Sequence, residues 1–136
     1  TVSRFTSWLD RPPAQLRTLF SIYECEELAR RAARAHATQR TTLLSQFLAS
    51  RFAVKEAFYK AISKLLVDRG VTDISFPFKA CAPHIWATTS GTWHVPQLVI
   101  DHDGFTTTTG VTLPTFTAQV SLAHEKEHAI AVVILQ

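Results

Sequence analysis

The sequence has few glycines and few cysteines, and each scarcity excludes a class of site. Four glycines among 136 residues exclude the P-loop and the dinucleotide-binding fingerprint, which both need grouped glycines. The two cysteines, Cys25 and Cys81, have no CxxC spacing, which argues against a zinc site or a disulfide framework and favours a reducing compartment. No apolar run approaches the length of a membrane span, and the first residues lack a signal-peptide pattern.

The composition is that of an ordinary globular domain with a mild positive charge. Hydrophobic residues make up 46% and charged residues 18% of the chain, and the length indicates a single domain spanning residues 1–136. A net charge of +3 suits an anionic partner, either a phosphorylated small molecule, an acidic protein surface or nucleic acid. Helical patterns come first and strand patterns follow, which predicts an α+β fold with helices packed on a small antiparallel sheet.

Two helices and several strands are predicted with defined ends. The first helix spans about 24–36 and follows a capping box formed by Ser21 and Glu24. The second spans about 42–67, with Thr41 or Thr42 as its cap and a stop signal at Arg69-Gly70. Strands are predicted at 73–79, 94–100, 117–122 and 128–135, with a turn at 101–104, a hairpin turn at 125–127, irregular structure at 81–93 and a loop or edge strand at 106–109.

The second helix carries two cations on its apolar side. Winding the segment at about 100° per residue forms a wide apolar arc, and Arg51 and Lys55 fall inside it. A cation in an apolar stripe is costly unless an anion or a hydrogen-bond acceptor meets it. The alternative is that both side chains lay their stems on apolar surface and keep their charged ends in water. The apolar arc consists of Leu44, Phe47, Leu48, Phe52, Phe58, Tyr59, Ile62, Leu65 and Leu66.

Glu56 and Lys60 lie one turn apart at the border of that arc. Their order along the helix is the favoured one for a surface ion pair, which is worth only a few tenths of a kcal/mol. The same spacing would bring a carboxylate and an ammonium group to one site. Periodicity alone leaves both interpretations open.

Among the six histidines, His124 has the most informative position. It follows a predicted strand and precedes an acidic hairpin turn, and residues at strand ends often face sites that loops build. A serine-nucleophile site with Ser121 and Glu125 is disfavoured because no Gly-x-Ser-x-Gly turn is present. His102 between Asp101 and Asp103 is compatible with a metal site, but a polar turn is the favoured interpretation.

The central segment resembles the signature of the 4′-phosphopantetheinyl transferases, and most closely that of the holo-acyl-carrier-protein synthase class. The matching residues are 47–61, FLASRFAVKEAFYKA. Three other stretches agree with this family in order: 19–28 with its acidic helix start, Asp73-Ile74, and the terminal hairpin 120–131, VSLAHEKEHAIA. The resemblance covers nearly the whole chain.

The resemblance implies transfer of 4′-phosphopantetheine from coenzyme A to a serine of an acyl carrier protein, with Mg²⁺ required. It implies that Glu56 binds Mg²⁺ and takes the serine proton, and that Lys60 holds a phosphate oxygen. His124 would bind coenzyme A or orient the reacting groups. Arg51 and Lys55 would meet their anions in the coenzyme or in structural carboxylates. The resemblance also implies a homotrimer with active sites between subunits.

Three basic residues near the start of the sequence are candidates for carrier docking. Acyl carrier proteins are acidic, so complementary charge favours Arg4, Arg11 and Arg17 as docking cations. Neither nucleic acid nor a membrane is the expected partner.

The sequence departs from the family at three places. Ser63 to Gly70 stands where many bacterial members have a Gly-Thr-Gly loop, and the segment 80–93 is longer than in bacterial relatives. The family's N-terminal strand, with its metal-binding Gly-x-Asp aspartate, has no counterpart. One sheet edge is therefore expected to be exposed, Mg²⁺ binding to be weak and phosphopantetheine transfer by this chain to be impaired. The longer segment suggests a eukaryotic member, cytoplasmic or mitochondrial.

There are two rival interpretations of the sequence. One is a catalytically silent carrier-binding module or fragment of a larger synthase. The other is a nucleic-acid-binding domain that uses the arginine-rich helix.

Overall fold

Five helices, two short 3₁₀ turns and four strands make up the described part of the chain. The computed structural model describes residues 1–10, 15–72, 75–87 and 94–136. The helices are α1 (Thr6–Asp10), α2 (Gln15–Leu19), α3 (Ile22–Arg34), α4 (Ala37–Asp68) and α5 (His102–Thr109). The strands are β1 (Cys81–Ala87), β2 (His94–Ile100), β3 (Ala118–His124) and β4 (Ala129–Leu135), and the 3₁₀ turns are Val2–Phe5 and Phe78–Ala80.

The predicted α+β class is confirmed, with two antiparallel hairpins in place of a single sheet. β1 pairs with β2, and β3 pairs with β4. The register places Ser121 opposite Val132 and His124 opposite Ala129. In the described residues the outer edge of β4 has no strand partner, so it presents free backbone groups.

The long helix α4 joins the two halves of the core. Its first half packs with the N-terminal helices in an apolar cluster that includes Phe5, Phe20 and Phe47. Its second half packs under both hairpins in a cluster that includes Phe58, Ile62 and Phe105. These α4 side chains come from the apolar arc that the sequence predicts, and the arc residues Leu44, Leu48 and Leu66 are also buried. Tyr59 is the exception, because 43% of its surface is exposed.

The capping box before α3 is confirmed by two hydrogen bonds. The Glu24 amide donates to Ser21 Oγ at 3.2 Å, and the Ser21 amide donates to Glu24 Oε1 at 3.0 Å. The stop at Arg69-Gly70 is also confirmed, because Arg69 is the C-cap of α4 and Gly70 has a φ of +75°. Only a residue without Cβ adopts that φ without strain.

The predicted start of the long helix is wrong. The polar stretch 38–42 was expected to separate two helices, but α4 begins at Ala37 after the N-cap His36. None of its polar residues is a strong helix breaker such as glycine or proline. Residues 37–43 are exposed and the first buried residue of α4 is Leu44, so these turns extend a helix that packing stabilises from Leu44 onward, because adding a residue to an existing helix is easier than starting one.

Four predictions in the second half of the chain are also wrong. Residues 81–87 form β1 rather than irregular structure, because pairing with β2 outweighs the local pattern. The predicted turn 101–104 opens α5, since the Asp101 carboxylate accepts from the Gly104 amide at 2.9 Å and caps the helix. The threonine run 106–109 continues α5. A strand was predicted at 73–79, but residues 75–79 do not form one. Asp73-Ile74 lies outside the described residues.

Candidate active site

The motif residues of α4 lie on different sides of the helix. Arg51 and Lys55 are buried, whereas Glu56 and Lys60 are exposed. At about 100° per residue, Arg51 and Glu56 are separated by about 140° around the helix axis. Within one chain, Glu56 and Lys60 therefore face solvent, whereas Arg51 and Lys55 face the protein interior.

Lys55 is fully buried and has a carboxylate partner. Its ammonium nitrogen lies 2.6 Å from Glu24 Oε1, donates to the Phe78 carbonyl at 3.0 Å and also donates to the Cys81 carbonyl. These contacts tie α4 to the start of α3 and to the turn that leads into β1. Of the two anions expected for Lys55, a structural carboxylate or the coenzyme, the structure shows the carboxylate of Glu24. Contact between Lys55 and coenzyme A stays a prediction.

Glu56 and Lys60 are available for binding. Both side chains are exposed, and neither forms a salt bridge within the described residues. The surface ion pair that the sequence left open is therefore not formed in this structure. A solvent-facing carboxylate one turn from a solvent-facing ammonium group can receive a bound cation and a phosphate side by side.

Arg51 lines a cavity of about 330 Å³ between α3, α4 and the end of β3. Only 5% of its surface is exposed, which rules out the snorkelling alternative. Its guanidinium group donates to Ser50 Oγ at 3.3 Å and lies 4.7 Å from the centre of the Phe47 ring. Burial lowers the pKa of Arg51, and the nearby positive charge of Arg31 lowers that pKa further.

His124 lines the same cavity from the end of β3. Two contacts fix the hairpin that carries it, because Gln46 Nε2 donates to the Glu125 carbonyl at 3.1 Å and the Val2 amide donates to the Glu127 carbonyl at 2.9 Å. The structure therefore brings His124 together with Arg51, while neither Glu56 nor Lys60 contributes to this cavity.

The predicted docking cations lie near apolar side chains. The Arg4 guanidinium lies 5.0 Å from the centre of the Phe52 ring and 5.8 Å from that of Phe5. Arg17 is exposed and lines a cavity of about 880 Å³ with Phe20, Ile22 and Tyr23 among its walls. Arg11 lies outside the described residues.

The described residues hold no cluster of three or more His, Cys, Asp or Glu side chains that would hold a metal ion. The metal site suggested at His102 is therefore not supported, and Asp101 serves instead as a helix cap.

The cysteines are free thiols, and burial raises the pKa of Cys81 to about 12. A protonated, buried thiol is neither a nucleophile nor a metal ligand.

A comparison with protein-family profiles matches residues 2–133 to the 4′-phosphopantetheinyl transferase superfamily, ACPS. The chain belongs to this superfamily. Members of the superfamily use coenzyme A as a substrate and act on carrier proteins. The family that the central helix and the terminal hairpin resemble is thereby confirmed.

Solved structures agree with the superfamily fold. The chain is similar to the structure described as "Chronobacterium ammoiniagenes apo-ACPS structure", with a TM-score of 0.60 and 24% sequence identity. The match covers 98% of this chain and 88% of that one, so the fold of this phosphopantetheinyl transferase is shared over nearly its full length. Comparison with curated proteins gives no significant match.

The sequence identified Arg51 and His124 but missed their neighbours. The sequence did not single out Arg31 and Arg34 of the arginine-rich helix as site residues, but both are exposed and line the cavity with Arg51 and His124. Their i,i+3 spacing placed them on one face of α3, which was the available signal. The sequence did not show that this face meets α4.

Proposed function

We propose that this phosphopantetheinyl transferase moves 4′-phosphopantetheine from coenzyme A to a serine of an acyl carrier protein. The observation that carries the proposal concerns Glu56 and Lys60 on the helix that bears the family motif: both are exposed, and neither forms a salt bridge with a described residue. Phosphoryl transfer depends on positioning and on neutralising charge at the phosphates, and a free carboxylate beside a free ammonium group suits both tasks.

The proposed step is an in-line displacement at phosphorus. The serine oxygen of the carrier forms a bond to the β-phosphorus of coenzyme A, the phosphoanhydride bond breaks, and adenosine 3′,5′-bisphosphate leaves. Glu56 accepts the serine proton, directly or through a water. Lys60 holds a phosphate oxygen as a point charge.

Magnesium is proposed as the cofactor, with Glu56 as one of its ligands. Mg²⁺ prefers carboxylate, phosphate and water oxygens and usually takes one or two carboxylates from a protein. Glu56 is exposed and unpaired within the described residues, so its chemistry suits the role of one ligand. When bound, Mg²⁺ neutralises charge on the pyrophosphate. The weak Mg²⁺ binding expected from the sequence stays a prediction.

We also propose that the active protein is a homotrimer with each site shared between subunits. Glu56 and Lys60 lie on one side of α4 and the Arg51–His124 cavity on another, so contact between two chains would bring complementary halves together. Strand β4 supports this assembly, because Ile130, Val132 and Ile134 are 66%, 53% and 49% exposed on one face. Exposed apolar patches of this kind mark interaction surfaces.

A charge placed on that face is expected to prevent assembly. Val132→Glu should convert the trimer to monomer, because a carboxylate cannot be buried unpaired in an apolar interface. Val67→Glu is the matched control, since Val67 is 59% exposed but lies near the end of α4. Sedimentation equilibrium distinguishes the species, and a Val132→Glu protein with the wild-type mass would contradict the assignment of this face.

Carrier docking is proposed at the surface around Arg4 and Arg17. The Arg4 guanidinium stacks over Phe52, which precedes Glu56 by one turn on α4, so an acidic partner held at Arg4 would lie near the proposed site. Arg11 belongs to the same sequence prediction. Charge complementarity of this kind sets the association rate and its salt dependence.

The alternative is a catalytically silent carrier-binding module. The observation that favours it is the lack of a multidentate metal cluster among the described residues. The two functions are separated by incubating the protein with an apo acyl carrier protein and coenzyme A labelled in its pantetheine arm. Mg²⁺-dependent label on the carrier, absent when its acceptor serine is replaced by alanine, supports the transferase. Carrier binding with no label at any Mg²⁺ concentration supports the module.

A further inference from the structure

A second, larger cavity lies between the start of α3, the 3₁₀ turn Phe78–Ala80, strand β2 and α5. Its volume is about 880 Å³, which is within the range of about 300–1,000 Å³ that is usual for small-molecule sites. Arg51, Glu56, Lys60 and His124 do not line it. The cavity therefore has room for a small molecule and is separate from the residues proposed for transfer.

The walls of this cavity are mostly apolar. Phe20, Ala80 and Ala82 line it and are buried, and the two alanines leave space that larger side chains would fill. Ile22 and Val99 also line it and are 68% and 38% exposed. A ligand with an apolar body would remove these side chains from water, which favours its binding.

Two cations without an ion partner line the same cavity. Arg17 belongs to α2 and Lys79 to the turn Phe78–Ala80, and α2 packs against that turn. Both side chains are exposed, and neither forms a salt bridge with a described residue. The acidic residue of the described lining is Asp101, whose carboxylate accepts from the Gly104 amide and caps α5. The cavity thus has an excess of one positive charge.

We propose that this cavity binds an amphipathic monoanion, an alkyl carboxylate of about eight to twelve carbons. Its carboxylate would pair with Arg17 and Lys79, and its chain would lie against Phe20, Ala80 and Ala82. A small inorganic anion would leave the apolar walls in water, and a neutral hydrocarbon would leave both cations unpaired. An alkyl carboxylate satisfies both parts of the lining, because it combines an apolar body with one negative charge.

Isothermal titration calorimetry with dodecanoate, below the concentration at which it forms micelles, tests this assignment. The protein should bind one dodecanoate per chain at least about tenfold more tightly than dodecanol, since a charge-assisted hydrogen bond is worth about a factor of ten. The affinity should rise about three- to fourfold for each methylene added between octanoate and dodecanoate, because each methylene is buried in the cavity. Neither coenzyme A nor a carrier is needed, so the result is independent of the proposed function.

Two variants with matched controls locate the bound ligand. Lys79→Gln should lower the affinity for dodecanoate severalfold and leave that for dodecanol unchanged, whereas Lys64→Gln, at an exposed lysine outside the cavity, should change neither. Val99→Glu should lower the affinity for dodecanoate about tenfold, because it places a like charge in the cavity wall. Val95→Glu is its control, since Val95 is 50% exposed and lies on the same face of β2 but does not line the cavity. All four positions are at least partly exposed, so the variants should fold.

Several results would overturn the assignment. Equal affinities for dodecanoate and dodecanol would show that the cations do not select an anion. Unchanged dodecanoate binding in both Lys79→Gln and Val99→Glu would place the ligand elsewhere, and displacement of dodecanoate by coenzyme A would assign the cavity to the donor. Absence of dodecanoate binding also rejects it. If Val99→Glu then weakens binding of the carrier, the cavity is a protein-docking surface instead.

Discussion

Replacing Glu56 by glutamine should lower the transfer rate by about 10²–10⁴-fold, the usual contribution of a general acid or base. The substitution keeps the shape of the side chain but removes the negative charge needed to accept a proton or bind Mg²⁺. The melting temperature should hardly change, because Glu56 is exposed and has no salt-bridge partner among the described residues. Initial rates of carrier labelling at saturating Mg²⁺ provide the measurement.

Lys60→Ala belongs to the same prediction and has a matched control. Lys64 lies one turn further along α4, with 79% of its side chain exposed and a salt bridge to Asp68 at 2.8 Å. Lys60→Ala should reduce transfer by a similar factor, whereas Lys64→Ala should leave the rate within about twofold of wild type. Near-wild-type rates in both Glu56→Gln and Lys60→Ala would remove this pair from the proposed site.

Replacing Lys55 by methionine should cost about 3–5 kcal/mol of unfolding free energy, as expected when one partner of a buried ion pair is removed. The remaining Glu24 carboxylate would be buried without its cation, and its Oε2 already lacks a hydrogen-bond partner among the described residues. The carbonyls of Phe78 and Cys81 would also lose a donor. Urea denaturation at fixed protein concentration measures the change.

A double mutant identifies the source of that cost. Lys55→Met combined with Glu24→Gln removes both charges, so the double variant should be less destabilised than the sum of the single variants. Lys64→Met is the surface control and should change stability by no more than about 0.5 kcal/mol. A Lys55→Met protein of wild-type stability would show that the buried pair contributes little.

Sequence patterns correctly predicted the elements that are stabilised by residues close to each other in sequence. The Ser21–Glu24 capping box, the Gly70 stop and the β3–β4 hairpin each depend on neighbouring residues, and each is found in the structure. The position of Arg51 and Lys55 in the apolar arc followed from the helix repeat, but only the structure shows that both are buried rather than snorkelled.

Long-range packing determined what local patterns missed. Strand β1 exists through its pairing with β2, and the packed part of α4 from Leu44 onward supports the exposed turns that precede it. The partner of Lys55 is 31 positions away in sequence, at Glu24, so no spacing rule could identify it. The approach of Arg31 and Arg34 to His124 likewise depends on how α3 and the terminal hairpin meet on α4.

The superfamily match and the fold agree on a phosphopantetheinyl transferase. The arrangement of Glu56 and Lys60 on one side of α4 and the arginine cavity on another supports a site assembled from two chains.

The most direct test of the central claim is intact-mass spectrometry of an apo acyl carrier protein after incubation with this protein, coenzyme A and Mg²⁺. The account predicts a carrier heavier by one phosphopantetheine group and an equimolar release of adenosine 3′,5′-bisphosphate, and Glu56→Gln should lower the initial rate of both by about 10²–10⁴-fold. A carrier that keeps its apo mass while it binds the protein would contradict the account and identify a silent binding module.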